Sequence, residues 1–219
     1  MNRPLFSARF GGLFLWLGGA ALALLMFVRI TRELIEGEVS GMDRAILLAV
    51  ARKRTPWLTI AAVDVTALGS ITLVVLFSAF TLVVLLVLRD RMGALQLLAA
   101  SAGAGILTLV TKNLIERIRP EEAQQLIVVS GFSYPSGHSV STSALYLTIA
   151  IIAGRCVQHA GARAAIFLAV SAVLIMIGAS RVYLGVHYAT DVVSGIALGA
   201  AWALLLAGFF TRFGHRGSS

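Results

Sequence analysis

The chain alternates between long apolar runs and short polar connections. A helix needs about 20 apolar residues to cross a hydrocarbon core of about 30 Å, and six runs reach or approach that length. The predicted spans cover residues 11–29, 68–88, 93–114, 137–154, 163–182 and 187–210. The predicted fold class is therefore all-α, an integral membrane bundle of six transmembrane helices that forms a single domain over residues 1–219.

Polar residues concentrate in the connections. Residues 30–55 are predicted as a polar connection, and Thr55-Pro56 is a helix-start signal for an interfacial stretch over 56–67 that leads into the second span. Short polar turns are predicted at 89–91 and 154–162, a polar loop at 115–135 and a disordered basic tail at 211–219. Six spans place both termini on one side, so the loops at 30–55, 115–135 and 183–187 share the opposite side.

Composition supports the membrane prediction. The chain is 58% hydrophobic and 13% charged, and its mean hydropathy is +0.91. Its net charge of +8 comes from Lys and Arg scattered between the apolar runs, which is typical of helix-end anchors and not of a nucleic-acid surface. Cys156 is the only cysteine, which excludes an intramolecular disulfide and a thiolate metal site. The expected partner is the bilayer, and no nucleic acid is expected.

The first apolar run is interpreted as a retained span. The uncharged residues 11–28 exceed the core of about 7–15 residues that is usual in a cleavable signal peptide. Charge does not orient the bundle, because eight of the 18 Lys and Arg residues lie on the side of the termini and ten on the other.

The first polar cluster contains Lys112 and Arg119-Pro120. The two cations are seven residues apart, which is two helical turns, so a helix that ends at Arg119 before the proline would place both on one face. Two cations on one face repel each other unless an anion lies between them. Ordinary snorkelling of both side chains to the interface is the alternative.

The second cluster, Ser136-Gly137-His138, opens the fourth span. A helix N-terminus offers free backbone N–H groups and a partial positive charge, both of which suit a phosphate. Gly137 allows the backbone to approach closely, and Ser136 can cap the helix or donate to an oxygen. The alternative is a helix cap with a bystander histidine.

The third cluster contains Arg181, His187 and Asp191. His187 and Asp191 are four residues apart, so on a helix they share a face and can form a hydrogen bond. An aspartate that holds one ring nitrogen leaves the other as a nucleophile or base. Arg181 has a planar fork suited to phosphate oxygens. The alternative is a buried histidine–aspartate pair that only links helices.

Together the clusters provide three cations, a helix N-terminus, two histidines and one orienting carboxylate on one predicted face. This set is sufficient for phosphoryl transfer without a metal. No His, Cys, Asp and Glu residues elsewhere have metal-ligand spacing, so neither a metal nor a cofactor is predicted.

The three clusters resemble the signature of the type-2 phosphatidic acid phosphatase family, which occupies residues 112–191 in this chain. Every signature position is matched: Lys112-x6-Arg119-Pro120, Pro135-Ser136-Gly137-His138 and Ser180-Arg181-x5-His187-x3-Asp191. The chain looks most similar to small bacterial members that act on phosphatidylglycerophosphate, phosphatidate or undecaprenyl pyrophosphate.

The resemblance implies a role for each signature residue. His187 would be the nucleophile that forms a phosphohistidine, Asp191 would hold its ring, and His138 would protonate the leaving oxygen and then assist water. The phosphate oxygens would be bound by Lys112, Arg119, Ser136, Gly137 and Arg181. The resemblance also implies a site on the extracytoplasmic face of a bacterial inner membrane.

Two rival functions remain at this point. One is a phosphotransferase that passes the phosphate to another lipid or sugar instead of to water. The other is a transporter or lipid-binding membrane protein without catalysis. Transporters usually place their charges near the midplane, often at broken helices, whereas the charges here lie at one predicted face.

Overall fold

The computed structural model describes residues 5–121 and 124–213, with side chains from 12 to 212, and every regular element in these residues is a helix. The helices are α1 Leu5–Ile35, α2 Ser40–Ala51, α3 Pro56–Ala67, α4 Ile71–Val87, α5 Arg91–Ile115, α6 Gly137–Cys156, α7 Ala160–Tyr183 and α8 Ala189–Phe213. Five of them are long and apolar enough to cross a membrane, and the bent pair of α3 and α4 adds a sixth candidate if it is counted as one span. The all-helical membrane fold is therefore confirmed.

The first helix extends further than its apolar run. The prediction that it ends near residue 29 was wrong, because α1 continues to Ile35. Two ion pairs with i,i+4 spacing support the extra turns: Arg29 to Glu33 at 2.9 Å and Arg32 to Glu36 at 2.7 Å. The polar connection that follows is itself largely helical, since α2 lies within it.

The predicted interfacial stretch and the second predicted span form two separate helices, α3 and α4. The Thr55-Pro56 start signal is confirmed, because the Thr55 side chain accepts a hydrogen bond from the Leu58 N–H at 3.4 Å. The helix then breaks, and the axes of α3 and α4 differ by 43°. Gly69 lies in this break, and a Cβ atom on it would be 2.9 Å from Cδ2 of His138.

Helix α5 ends earlier than Pro120 predicts. Asp90 caps its start by accepting from the Gly93 N–H at 2.8 Å. The helix ends at Ile115, where Glu116 adopts a left-handed conformation with φ of 47° and donates its N–H to the Lys112 carbonyl. The prediction that one helix face carries both Lys112 and Arg119 was therefore wrong, because Arg119 lies in the following loop.

Helices α6 and α8 approach closely through two glycines. A Cβ atom on Gly195 would be 2.8 Å from the Ser136 carbonyl oxygen, and one on Gly199 would be 2.4 Å from the Val140 carbonyl oxygen. Small residues of this kind let membrane helices approach closely. The contact places the start of α6 directly against the first turns of α8.

The last helix begins and ends later than predicted. The sixth span was predicted over 187–210, but α8 begins at Ala189, so His187 precedes the helix. Residues 211–213 belong to α8 and are not a disordered tail, while residues 214–219 lie outside the described residues. The basic turn after α6 is also shorter than predicted, since α7 already starts at Ala160.

Candidate active site

The three predicted clusters meet at one end of the bundle, where α5 and α7 end and α6 and α8 begin. His187 lies 3.3 Å from Arg119 and 3.5 Å from Asp191. The backbone N–H of Ser136 donates to the Asp191 carbonyl at 2.9 Å, which joins the start of α6 to the start of α8. Lys112, His138 and Arg181 also lie close enough to Arg119 to interact with its positive charge. The structure thus brings all eight predicted site residues together.

The ring of His187 has different partners at its two nitrogens. Nε2 lies 3.3 Å from Nη1 of Arg119, and a guanidinium has only donors, so Nε2 accepts and Nδ1 carries the proton. Nδ1 lies 3.5 Å from Oδ2 of Asp191 and 3.4 Å from Oγ of Ser133. The Ser133 hydroxyl donates to the same Oδ2 atom at 2.5 Å. The lone pair of Nε2 is therefore directed towards the cations.

Burial controls the charge of His187. The side chain is 2% exposed, and this burial lowers the pKa of His187 to about 4. Asp191 opposes the shift, whereas Arg119 and Arg181 reinforce it. The imidazole is consequently neutral at pH 7, and its Nε2 lone pair carries no proton.

The loop after α5 holds Arg119 through backbone carbonyls. Its Nε donates to the Gly131 carbonyl at 2.8 Å and its Nη1 to the Val186 carbonyl at 2.7 Å. Burial lowers the pKa of Arg119, although an arginine still stays charged at pH 7. Three of its donors thus point at fixed acceptors, including His187.

The other two predicted cations are also held by neighbouring oxygens. Lys112 donates to the carbonyl of Phe132, and Nη1 of Arg181 donates to Oγ1 of Thr66 at 2.9 Å. Arg181 is 3% exposed, and its Nε atom is buried without a partner among the described residues. This donor is free to bind a ligand oxygen.

Ser136 does not cap α6. Its hydroxyl is buried and has no partner in the described part of the chain, so of the two predicted uses only donation to a ligand remains open. Gly137 is the first residue of α6, and a Cβ atom on it would already be 3.4 Å from Cγ2 of Thr108. His138 follows on the same helix turn, against Gly69.

Comparison with known proteins identifies the family. Residues 93–214 match the PAP2 superfamily. The chain is 31% identical over 196 residues to phosphatidylglycerophosphatase B of Bacillus subtilis, with 84% of this chain and 91% of that protein covered. The chain belongs to the PAP2 superfamily. It is an integral membrane enzyme of the lipid phosphatase class that hydrolyses phosphate esters, and the transporter alternative is excluded.

Solved structures support the same PAP2 assignment. The crystal structure of a transmembrane PAP2 type phosphatidylglycerolphosphate phosphatase from Bacillus subtilis superimposes with a TM-score of 0.81 at 29% identity, covering 91% of this chain and 98% of that one. Aquifex aeolicus LpxE shares the fold, with a TM-score of 0.58 at 23% identity over 74% of this chain and 92% of its own. A lipid A 1-phosphatase of Rhizobium johnstonii is 32% identical over 120 residues, covering 51% of this chain and 45% of that protein.

Several residues near this PAP2 site were missed by the sequence analysis. Ser133 lies just before the second signature segment, and Thr66 and Gly69 lie at the break between α3 and α4. Arg117 forms ion pairs with both Asp43 and Asp191, and the two carboxylates are buried. Arg117 stands inside the first cluster, but no periodicity distinguishes it from other loop cations. Asp43 is far away in sequence, so only the fold reveals its place.

Proposed function

We propose that this protein removes the phosphate from a membrane lipid phosphate through a phosphohistidine intermediate on His187. The observation that carries the proposal is the orientation of the ring. Nδ1 faces the Asp191 carboxylate at 3.5 Å, and the unprotonated Nε2 faces the Arg119 guanidinium at 3.3 Å. A phosphate bound by Arg119 would place its phosphorus beside the lone pair of His187 Nε2.

In the first step, Nε2 of His187 attacks the phosphorus and a P–N bond forms. The bond between phosphorus and the lipid oxygen breaks, and His138 donates a proton to that leaving oxygen. Asp191 holds the ring through Nδ1–H and stabilises the positive charge that the imidazole acquires. The lipid product leaves with the hydroxyl group that the proton completes.

In the second step, a water molecule attacks the same phosphorus. His138, now neutral, takes a proton from the water, the P–N bond breaks and inorganic phosphate is released. The electron pair of the P–N bond returns to Nε2. His187 is again neutral and His138 again protonated, so the cycle closes.

Fixed positive charge stabilises the transition state in this account. Lys112, Arg119 and Arg181 would contact the equatorial oxygens, together with the Gly137 N–H at the start of α6. Ser136 Oγ and Arg181 Nε are among the buried donors that have no partner within the described residues, and they support this assignment because a buried donor normally finds an acceptor.

No metal has a role in the proposed reaction. The three cations and the helix N-terminus supply the positive charge that a metal ion would otherwise contribute to phosphoryl transfer. In residues 5–121 and 124–213, moreover, no three His, Cys, Asp or Glu side chains are arranged to hold a metal ion.

The names of the relatives suggest which lipid substrates to test first. Phosphatidylglycerophosphate is the first candidate, because a phosphatidylglycerophosphatase B shares 31% identity over most of both chains. Phosphatidate follows with a terminal phosphate monoester, and undecaprenyl pyrophosphate with a terminal phosphate in an anhydride bond, from which the leaving group is the lipid monophosphate. We place the site on the extracytoplasmic face of a bacterial inner membrane, as the family resemblance implies.

The test is phosphate release by the purified protein in detergent with EDTA, from these three lipids. We expect release from at least one lipid, and loss of about 10³-fold or more in His187→Ala. His159→Ala is the matched control, because His159 is an exposed histidine at the start of α7. Release that depends on added metal, or that survives in His187→Ala, would contradict the proposal.

A further inference from the structure

The Asp191 carboxylate is bound on the side away from His187 by Arg117, which is not a signature residue. Nη1 of Arg117 donates to Oδ1 of Asp191 at 2.6 Å. Oδ2 accepts from the Ser133 hydroxyl at 2.5 Å and from the Tyr188 N–H at 2.9 Å. Both oxygens of Asp191 are thus fixed by donors other than His187, and Arg117 holds Oδ1 with a full charge.

Arg117 is in turn held by Asp43 on α2. Nη2 of Arg117 donates to Oδ2 of Asp43 at 2.7 Å, and the Asp43 side chain is 0% exposed. Oδ1 of Asp43 accepts from the Thr190 N–H at 3.1 Å, and the Thr190 hydroxyl also donates to Asp43. Asp43 lies outside residues 93–214, which match the superfamily. A helix beyond the matched region is therefore tied directly to the site.

The charges in this group do not balance while His187 is neutral. Asp43 and Asp191 carry two negative charges against one positive charge on Arg117. The two carboxylates outweigh the effect of burial and raise the pKa of Arg117, so its charge is permanent. When the imidazole is phosphorylated, its ring becomes positive, so the ring and Arg117 then balance the two carboxylates, while the phosphoryl oxygens face the cations on the other side of the ring.

The excess negative charge in this group comes from Asp43. Without it, Asp191 and Arg117 would already neutralise each other, and no net negative charge would remain on the Nδ1 side of the phosphorylated ring. Arg119, Arg181, Lys112 and His138 also face the ring, and the first three add only positive charge. The phosphoryl oxygens offset these cations on the Nε2 side of the ring, and on the Nδ1 side the negative charge comes from Asp191 and Asp43.

We infer that Arg117 and Asp43 are positioning residues for the reaction at His187. Arg117 fixes the Asp191 carboxylate against the ring, and Asp43 restores the negative charge that Arg117 would otherwise cancel. The inference rests on the proposed phosphohistidine function. Because both residues act through Asp191, their loss lowers kcat and leaves KM nearly unchanged.

The experiment measures kcat and KM for Asp43→Asn, Arg117→Gln and Arg117→Lys in the full-length protein, with phosphatidylglycerophosphate in mixed micelles. Losing the partner that orients a metal ligand typically costs about 10–100-fold, and by analogy we expect kcat to fall by that amount with KM within about twofold of wild type. Arg117→Lys keeps the charge but not the fork, and it should fall between Arg117→Gln and wild type.

Two variants serve as matched controls. Arg44→Gln removes an exposed cation from the same cavity that Arg117 lines, which has a volume of about 390 Å³. Asp64→Asn makes the same change as Asp43→Asn at an exposed position on α3. Both should keep wild-type kcat, and thermal melting in detergent should show that every variant is folded.

A double-mutant cycle separates positioning from general stability. If Arg117 acts through Asp191, adding Arg117→Gln to Asp191→Asn costs no further activity, whereas independent structural losses would multiply. Wild-type kcat in folded Asp43→Asn or Arg117→Lys, beside an inactive His187→Ala, would overturn this inference alone. Activity that survives His187→Ala would overturn the proposed function and this inference with it.

Discussion

At the scale of single residues, the site combines a buried neutral base with fixed cations. His187 is almost fully buried, and burial holds its ring in the neutral state that a nucleophile requires. Arg119 is fixed by the carbonyls of Gly131 and Val186, so it needs little reorganisation to bind a phosphate oxygen. The burial of His187 and the hydrogen bonds of Arg119 together give the site a neutral nucleophile beside a fixed cation.

The lowered pKa of His187 predicts the acid limb of the pH profile. The folded-state pKa is about 4, below the usual value of about 6.5, so the nucleophile stays neutral as pH falls from 7 to about 5 and is lost as pH falls through 4. After correction for the ionisation of the lipid phosphate, kcat/KM should decline near pH 4. A corrected acid limb near pH 6.5 would show that the titrating histidine is not buried as described.

At the scale of helices, the break between α3 and α4 forms one wall of the site. Thr66, in the last turn of α3, accepts from Arg181 at 2.9 Å, and Gly69 in the break packs against His138. The Tyr146 hydroxyl donates to the Leu68 carbonyl at 2.7 Å and satisfies an acceptor that the break exposes. The bent pair therefore positions two proposed phosphate-site residues.

Adding one methyl group at the break should impair catalysis. A Cβ atom on Gly69 would lie 2.9 Å from Cδ2 of His138 and 3.0 Å from Cγ2 of Ile177, so Gly69→Ala must displace the His138 ring. We expect kcat to fall by about 10–100-fold, because small misplacements of a catalytic group are costly. Gly105→Ala is the control, since a Cβ atom there would have no neighbour within 4 Å. Equal kcat in the two variants would contradict the role of the break.

The helices and the chemistry of the site could be predicted from the sequence, but the contacts made by the loops could not. Apolar run lengths located the spans, and the spacing of His187 and Asp191 identified a pair that the structure brings together, although His187 precedes the helix. The position of Arg119 depends on the loop that returns to the site, through the Ser133 N–H to the Arg117 carbonyl at 2.7 Å and the Leu126 N–H to the Leu184 carbonyl at 2.9 Å. No periodicity specifies such long-range hydrogen bonds, and none predicts the partnership of Asp43 with Arg117.

At the scale of the whole molecule, the site and Cys156 lie at opposite ends of the bundle. Helix α6 begins at the site with Gly137 and ends at Cys156, which is exposed. Arg52, after α2, is exposed on the side of the site, where Asp43 joins α2 to Asp191 through Arg117. These two positions therefore report the orientation of the protein in the membrane.

Labelling with a membrane-impermeant maleimide should reveal that orientation. We expect Cys156 to be unreactive in intact bacterial spheroplasts and reactive after permeabilisation. In a Cys156→Ser background, Arg52→Cys should react in intact spheroplasts, because we place the site on the extracytoplasmic face. The opposite pattern would put the site in the cytoplasm, and equal labelling of both positions in intact spheroplasts would contradict a spanning α6.

The most direct test of the proposed mechanism is capture of the covalent intermediate. The protein is mixed briefly with a lipid labelled with ³²P in its terminal phosphate, then denatured and separated from the lipid. We predict a labelled protein whose phosphate is stable in base and released in acid, as expected of a phosphohistidine, in wild type and in His159→Ala but not in His187→Ala. Turnover without any labelled protein, or a label that persists in His187→Ala, would contradict the proposed nucleophile.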